Sequence, residues 1–260
     1  MKSMKPYFLI IIFALFSFKS FSWGSKGHKM VAVLAQGLIN KQVADSVKYY
    51  LGEMTFEEAA VWMDQVSGNP SNAYMKPMHY INVEKDKTYV KGIAGKNIMN
   101  ELDIVFLWLE KKESREKTFL AIKILFHLVG DLHQPLHVGY QADRGGNEVK
   151  IIYKGNSAKG KKSNLHRVWD SEMIETDDNF QSACITQVKL FGNEEREKIN
   201  KINTEEWLNE SRKLLPEIYN FKDGVIDKDY IKRNTPVAVK QVSKAGIRLA
   251  SVLKKYFERK

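Results

Sequence analysis

The chain has 260 residues, of which 43% are hydrophobic, and its formal net charge at pH 7 is +10. This length and composition fit a globular protein with a substantial core and argue against an unfolded chain. The basic charge favours attraction to nucleic acid or anionic lipid headgroups, but it is also common on exported proteins that bind neither. Because Cys184 is the only cysteine, an intramolecular disulfide is excluded.

The N-terminal segment has the features of a secretory signal peptide, which we place at residues 1–22. Lysines precede the short apolar run 8–16, and Ser20 and Ser22 have the spacing of a cleavage site. The run is too short to span a bilayer. We therefore expect cleavage before Trp23, a mature chain with a formal charge of +7 after loss of three lysines from +10, and a secreted or periplasmic location.

Helical periodicity dominates the rest of the chain. Apolar residues recur three and four apart in six stretches, which are 30–39, 43–51, 98–109, 119–129, 207–219 and 237–257. The β-rich run 148–153 predicts a small β-hairpin, and the Gly-, Lys- and Ser-rich stretch 155–163 predicts a flexible basic loop. With no repeat and no linker, residues 23–260 are expected to form one mainly α-helical domain with a small β-hairpin.

Three of the six histidines lie between residues 127 and 137. His127 and Asp131 are four residues apart and would share one face of a helix, and imidazole with carboxylate is a ligand mixture that zinc accepts. His166 and Asp170 repeat that spacing. Further candidate donors are His28, Asp64, His79 and His137. Together they suggest a multi-metal hydrolytic centre, which suits phosphodiester hydrolysis because clustered cations activate water and neutralise phosphate oxygens.

Each of these residues also has an ordinary explanation. A lone histidine on an apolar helix is usually a core or surface residue, Asp64 could cap a helix, and Asp170 could pair with Arg167. All of these explanations would have to hold at once, whereas a metal centre explains the clustering with a single cause. We therefore favour the metal centre.

At these positions the chain resembles the zinc-dependent single-strand-specific nucleases of the S1/P1 family, which share a helical fold with bacterial zinc phospholipase C. The resemblance spans most of the mature chain. Its motifs are, in order, Trp23-Gly24-Ser25-Lys26-Gly27-His28, Trp62-Met63-Asp64, His79 followed by an aromatic residue, the run from His127 to His137, Gly145-Gly146-Asn147, and Asn164-Leu165-His166-Arg167-Val168-Trp169-Asp170.

The resemblance implies a centre of three zinc ions. The ligands of the first would be Asp64, His79, His127 and Asp131. The ligands of the second would be His137, His166 and Asp170. The third would be bound by the α-amino group and carbonyl of Trp23, by His28, and by Asp131 as a bridge to the first. A terminal amine is easily deprotonated near a dication, so cleavage before Trp23 would create a metal ligand.

His133 has no metal role in the family pattern. On a helix it would point away from the face of His127 and Asp131, so we assign it to packing or to a hydrogen bond outside the ligand shell. Pro135 is expected to break or start a helix and thereby to re-aim His137.

The activity implied by the resemblance is hydrolysis of single-stranded DNA or RNA to 5′-phosphorylated nucleotides, with 3′-nucleotidase activity as a further option. A hydroxide shared by the two zinc ions that Asp131 bridges would be the nucleophile, with Asp64 also in the catalytic set and Asn147 available to contact phosphate. Tyr80 would stack on a base and Asn82 would contact a base edge. Tyr80 could equally be a core aromatic residue.

One position departs from the family pattern. Many members have Arg or Lys three residues after the Trp-x-Asp aspartate, near the scissile phosphate, and here that residue is Ser67. A cation at that place stabilises transition-state charge. Lys76 or Arg144 could replace it if the loops allow.

Two alternatives remain open. A phospholipase C would use the same ligands on a lipid phosphodiester, although zinc phospholipases of this fold typically have glutamate where this chain has Asp170. A zinc- or nucleic-acid-binding protein with weak turnover would have an identical ligand set, and Ser67 makes it conceivable. In each case we expect no stable membrane anchor and no obligate protein partner.

Overall fold

Helices make up most of the fold, as the periodicity predicts. The computed structural model describes residues 23–155 and 159–258. The α-helices of these residues are α1 (Ser25–Leu38), α2 (Lys41–Leu51), α3 (Phe56–Ser67), α4 (Ile98–Lys111), α5 (Arg115–Leu132), α6 (Leu165–Arg167), α7 (Met173–Glu175), α8 (Phe180–Leu190), α9 (Asn193–Asn200), α10 (Thr204–Arg212), α11 (Leu215–Ile218) and α12 (Lys228–Phe257). The predicted signal peptide lies outside the described residues.

Shorter helical turns connect these elements. Three are 3₁₀-helices, Pro70–His79, Pro135–Val138 and Gln141–Asp143, and a π-helical turn, Val168–Glu172, joins α6 to α7. No helix in the described part of the chain is both long and apolar enough to cross a membrane.

A small sheet lies beside the helical body. Its strands β1 (Lys150–Tyr153), β2 (Lys161–Asn164) and β3 (Val225–Ile226) are ordered β2-β1-β3, with β1 antiparallel to β2 and parallel to β3. The predicted hairpin is therefore confirmed. The prediction of a loop over 155–163 is wrong at its end, because residues 161–163 belong to β2. Pairing with β1 outweighs the weak strand preference of Lys and Ser.

Side-chain caps determine where several helices begin. The Thr55 hydroxyl accepts from the Glu58 amide while the Glu58 carboxylate accepts from the Thr55 amide, which forms a capping box at α3. The Asp227 carboxylate caps α12, so this helix starts well before the predicted residue 237. The predicted stretch 207–219 is split into α10 and α11, because Pro216 has no amide hydrogen to continue the first helix and is favourable in the first turn of the second.

Helix α5 runs through the middle of the molecule. It packs on α3 and α4 and also contacts α1, α2 and α12. Its apolar residues Leu125, Phe126 and Leu128 are fully buried, and so are the polar residues His127 and Asp131. Burying such polar groups is costly unless they have partners. The fold places further polar side chains beside His127 and Asp131, which gives these two buried groups partners.

Candidate metal centre

The first cluster of polar side chains lies between α3, α5 and the 3₁₀-helix that ends at His79. His127 Nε2 lies 3.2 Å from Asp131 Oδ2 and 3.6 Å from Asp64 Oδ1. His79 Nδ1 lies 3.0 Å from both His127 Nε2 and Asp131 Oδ2. Asp64, His79 and His127 thus present potential ligand atoms within 4.8 Å of one another.

The second cluster joins the 3₁₀-helix 135–138 to the π-helical turn. Pro135 starts that 3₁₀-helix, as predicted, and His137 follows in it. His137 Nε2 lies 3.5 Å from Asp170 Oδ1, and His166 Nε2 lies 3.3 Å from Asp170 Oδ2. Asp170 is in the π-helical turn, a feature that often marks functional sites. The pairing of His166 with Asp170 predicted from their spacing is confirmed.

The third cluster brings α1 onto α5. His28 Nε2 lies 3.3 Å from Asp131 Oδ1, and the His28 ring stacks on His127 with 4.0 Å between ring centroids. His28, His127 and Asp131 form a third set of potential ligands. The fully buried Trp23 lies close to the second cluster, because the next amide, that of Gly24, donates to the Asp170 carbonyl.

Asp131 contacts members of all three clusters. Its Oδ1 lies 3.3 Å from His28 Nε2 and 3.5 Å from His137 Nδ1, whereas its Oδ2 faces His79 and His127. The two oxygens of one carboxylate thus point to different groups of imidazoles. This is the geometry that a bridging carboxylate needs.

Backbone carbonyls fix the orientation of three imidazoles. The Nδ1 atoms of His127, His137 and His166 donate to the carbonyls of Ala60, His79 and Gly145 over 2.7, 2.9 and 2.7 Å. Because a carbonyl can only accept, the proton of each neutral ring is on Nδ1 and the Nε2 lone pair faces the carboxylates. Such outer hydrogen bonds are typical of histidines that ligate metals.

Lone pairs that face carboxylates need a cation or a proton between them. Burial lowers the pKa of His127, but Asp131 and Asp64 outweigh this and raise it to about 9. Burial also lowers the pKa of His137, but the nearby carboxylates, mainly Asp131, outweigh this and raise it to about 9. Burial raises the pKa of Asp131, yet the adjacent His127 and His137 hold it well below its usual range. The clusters therefore have the donors and the negative charge that divalent zinc requires.

Comparison with known proteins agrees with this geometry. The family model for S1/P1 nucleases matches residues 23–258. The chain belongs to the S1/P1 nuclease family. It is 27% identical to Endonuclease 2 of Arabidopsis thaliana over 90% of both chains, and 28% identical to Nuclease S1 of Aspergillus oryzae over 60% of this chain and 56% of the other. It is also 26% identical to Nuclease P1 of Penicillium citrinum over 58% of each chain.

As a member of the S1/P1 nuclease family, the protein is an endonuclease, and zinc dependence is a property of that family. The predicted mainly α-helical, phospholipase C/nuclease-like fold class is confirmed as well. The family match begins at Trp23, the residue before which cleavage is predicted from the sequence.

The ordinary explanations for two of the acids are wrong. Asp64 lies inside α3 rather than at its cap, and its carboxylate faces His127 and His79. Asp170 is not paired with Arg167, because the Arg167 guanidinium lies 3.4 Å from Glu172 instead. Both acids are therefore available to the metal centre.

The prediction that His133 packs outside the ligand set is confirmed. Its Nδ1 donates to the Val129 carbonyl, its Nε2 accepts from Arg248, and its ring packs on Trp207. Burial and the adjacent Arg248 hold the pKa of His133 well below its usual value. A neutral ring fixed by these partners contributes to the core.

Sequence reasoning did not single out Gln134. This buried amide donates from Nε2 to Asp170 Oδ1 over 2.6 Å and accepts from the Leu136 amide. It thereby connects the residue before Pro135 to a potential ligand of the second cluster. The sequence feature that could have identified Gln134 is its position directly before a proline in a histidine-rich run.

The residues predicted to bind substrate are less buried than the potential metal ligands. Tyr80 follows His79 and is 40% exposed, which leaves its ring accessible. Asn82 Oδ1 is buried and has no hydrogen-bond partner among the described residues. The exposed Asn147 donates to the Arg144 carbonyl over 3.0 Å. Ser67, at the position of the usual cation, donates from Oγ to the Asp64 carbonyl. The roles predicted for Tyr80, Asn82 and Asn147 stay predictions.

Proposed function

We propose that this protein is an exported nuclease that hydrolyses single-stranded DNA and RNA to 5′-phosphorylated nucleotides at a centre of three zinc ions. The observation that carries the proposal is the position of Asp131, whose two oxygens face histidines from three clusters of potential ligands. Family membership supports the reaction, and the three clusters support the number of metal ions.

The ligand assignment follows the family pattern. One ion would be held by Asp64, His79, His127 and Asp131. A second would be held by His137, His166 and Asp170. The third would be held by His28, Asp131 and the amine and carbonyl of Trp23. The bond from the His28 amide to the Gly24 carbonyl supports this last assignment, because it holds the backbone beside Trp23 next to the proposed ligand His28.

Bound zinc would supply positive charge that lowers the pKa of a water molecule and neutralises phosphate oxygens. The chain's own contribution is orientation. The carbonyls of Ala60, His79 and Gly145 keep the Nε2 atoms aimed inward, and the buried Asp131 stays ionised. Asn147 offers an amide to a phosphate oxygen at the exposed side.

Substrate recognition would depend on residues next to His79. The partly exposed ring of Tyr80 can stack on an unpaired base, an interaction worth about 1–3 kcal/mol that tolerates any base. Asn82, two residues after Tyr80, would contact a base edge as the family pattern implies, and its Oδ1 has no hydrogen-bond partner among the described residues. Because bases in a duplex are already stacked, this arrangement favours single strands. The same centre would act on 3′-phosphomonoesters as a 3′-nucleotidase.

The proposed function is tested by digestion with the mature protein, beginning at Trp23 and loaded with zinc. We expect rapid release of nucleotides with 5′-phosphates from single-stranded DNA and RNA, slow attack on duplex DNA, and loss of activity with a chelator. A phosphatidylcholine substrate is included as a comparison. Release of phosphocholine without release of nucleotides would favour the phospholipase C alternative, and absence of both would favour the zinc-binding protein with weak turnover.

A further inference from the structure

The antiparallel pair β1 and β2 presents three lysines on one face, if Lys154 is counted, which directly follows β1 and continues its pairing by donating from its amide to the Ile226 carbonyl. Residues two apart on a strand share a face, and so do residues directly opposite each other on neighbouring strands. Because Ile152 is opposite Lys162, the side chains of Lys150, Lys154 and Lys162 are on the same side as Ile152. The other side carries the buried Ile151 and Tyr153. The face that bears the lysines is thus the outer one, and all three are exposed.

These three lysines have no carboxylate partners in the described part of the chain. Lys161, the other lysine of β2, does have a carboxylate partner. Its Nζ lies 3.0 Å from Glu172, and the Arg167 guanidinium lies 3.4 Å from the same carboxylate. The positive charge on the inner side is therefore partly neutralised. The charge of Lys150, Lys154 and Lys162, which we call the outer lysine face, is available to an external anion.

The outer lysine face lies next to the short helix that carries His166, a potential ligand of the second cluster. Lys150 is paired with Asn164, whose side chain caps α6 by accepting from the Arg167 amide. His166 is the second residue of that helix. His166 is four positions after Lys162, so their Cα atoms are at most about 14 Å apart. The hydrogen bond from His166 Nδ1 to the Gly145 carbonyl holds the same region together.

We propose that the outer lysine face binds the phosphate backbone of single-stranded nucleic acid beyond the scissile bond and guides the strand to the centre. This inference rests on the proposed function. Three unpaired lysines on two adjacent extended segments fit a flexible polyanion, since grooves that follow a single-stranded backbone are positively charged. The face would favour polymers over short substrates, because a long strand has phosphates beyond the scissile bond whereas a dinucleotide has only the scissile phosphodiester.

The experiment compares the wild type with the variant Lys150→Gln, Lys154→Gln, Lys162→Gln. With a long single-stranded oligonucleotide at low salt, we expect KM to rise about ten- to a hundredfold while kcat changes little. The dependence of log KM on log salt concentration should become shallower by about 2, since each single-strand phosphate contact contributes about 0.7. For a dinucleotide, kcat/KM should stay at the wild-type value.

Two controls separate this effect from general charge. The variant Lys48→Gln, Lys189→Gln, Lys198→Gln removes the same charge from exposed lysines of α2, α8 and α9 that likewise have no ion pair among the described residues. Lys161→Gln removes the paired lysine of β2. Both should keep the wild-type KM for the oligonucleotide.

The inference is overturned if the outer-face variant keeps the wild-type KM and salt dependence for the oligonucleotide, or if the distant triple variant changes them equally. Loss of binding to vesicles containing anionic lipid, with oligonucleotide kinetics unchanged, would assign the face to a membrane surface instead. Failure of the proposed function is distinguishable, because the wild type would then hydrolyse neither the oligonucleotide nor the dinucleotide.

Discussion

Gln134 donates a hydrogen bond from its side-chain amide to Asp170 Oδ1 over 2.6 Å, and both side chains are buried. The side-chain oxygen of Gln134 accepts from the Leu136 amide, so the side-chain amide cannot rotate without losing a bond. The Asp170 carboxylate is therefore held in one orientation between His137 and His166. Gln134 is a positioning residue for the second cluster.

Replacing Gln134 by Met should weaken zinc binding at the second cluster. Outer partners of metal ligands typically affect metal affinity or activity by about 10- to 100-fold. Competition with a chelator should show one zinc ion that leaves more easily, while the others are retained. The matched control is Gln241→Met, which removes another buried amide, one bonded to the His133 carbonyl and Ser211 Oγ. If both variants lose zinc alike, the effect is general destabilisation.

A mature chain extended by one residue before Trp23 should lose most of its activity and about one zinc ion. The added peptide bond removes the α-amino group that would ligate the third ion, whereas the other ligands are unchanged. Metal analysis of the purified protein provides the measurement, and a one-residue extension at the C-terminus serves as the control. Three zinc ions and full activity in the N-terminally extended chain would refute the assignment of Trp23.

Zinc binding to the metal-free protein should release protons at pH 7.5. Without metal, the pKa values of His127 and His137 are raised to about 9, so at pH 7.5, which is below 9, both rings carry an extra proton. Zinc requires the neutral ring and displaces these protons. An indicator dye in weak buffer measures the release, and release should be smaller for His127→Gln. An unchanged pH on titration with zinc would contradict the predicted charge state.

Replacing Arg248 by Met should lower stability without removing zinc. The buried Arg248 donates to His133 Nε2 and pairs with Glu210, so its loss leaves these groups unsatisfied at a cost of about 1–3 kcal/mol. Urea unfolding of the zinc-loaded protein measures this loss. A fall in zinc content with unchanged stability would show that His133 supports the centre after all.

Much of the centre was predictable because spacing and chemistry coincide. His127 with Asp131, and His166 with Asp170, lie four residues apart on helical backbone, and both pairs meet in the structure. Other features depend on contacts that spacing does not encode. The carbonyl of Ala60 accepts from His127 across 67 residues of sequence, and only the packing of α3 on α5 creates that bond.

The strand β2 shows a similar limit. Its sequence Lys161-Lys162-Ser163-Asn164 has the composition of a loop, and it is extended because β1 provides a pairing partner.

Helix α3 was not among the stretches predicted from apolar periodicity, because its apolar spacing is less regular. Its start depends on a capping box, and the Thr55 and Glu58 that form it were visible in the sequence. Tertiary pairing and caps, rather than periodicity, determined these elements.

The central claim is that three zinc ions form one catalytic centre in which Asp131 bridges two of them, and the most direct measurement is the zinc content and nuclease activity of Asp131→Asn beside the wild type. Circular dichroism establishes that the variant is folded. We predict about three zinc ions in the wild type, at least one fewer in the variant, and loss of single-strand hydrolysis in parallel. A folded variant that keeps three zinc ions and wild-type hydrolysis would contradict the account.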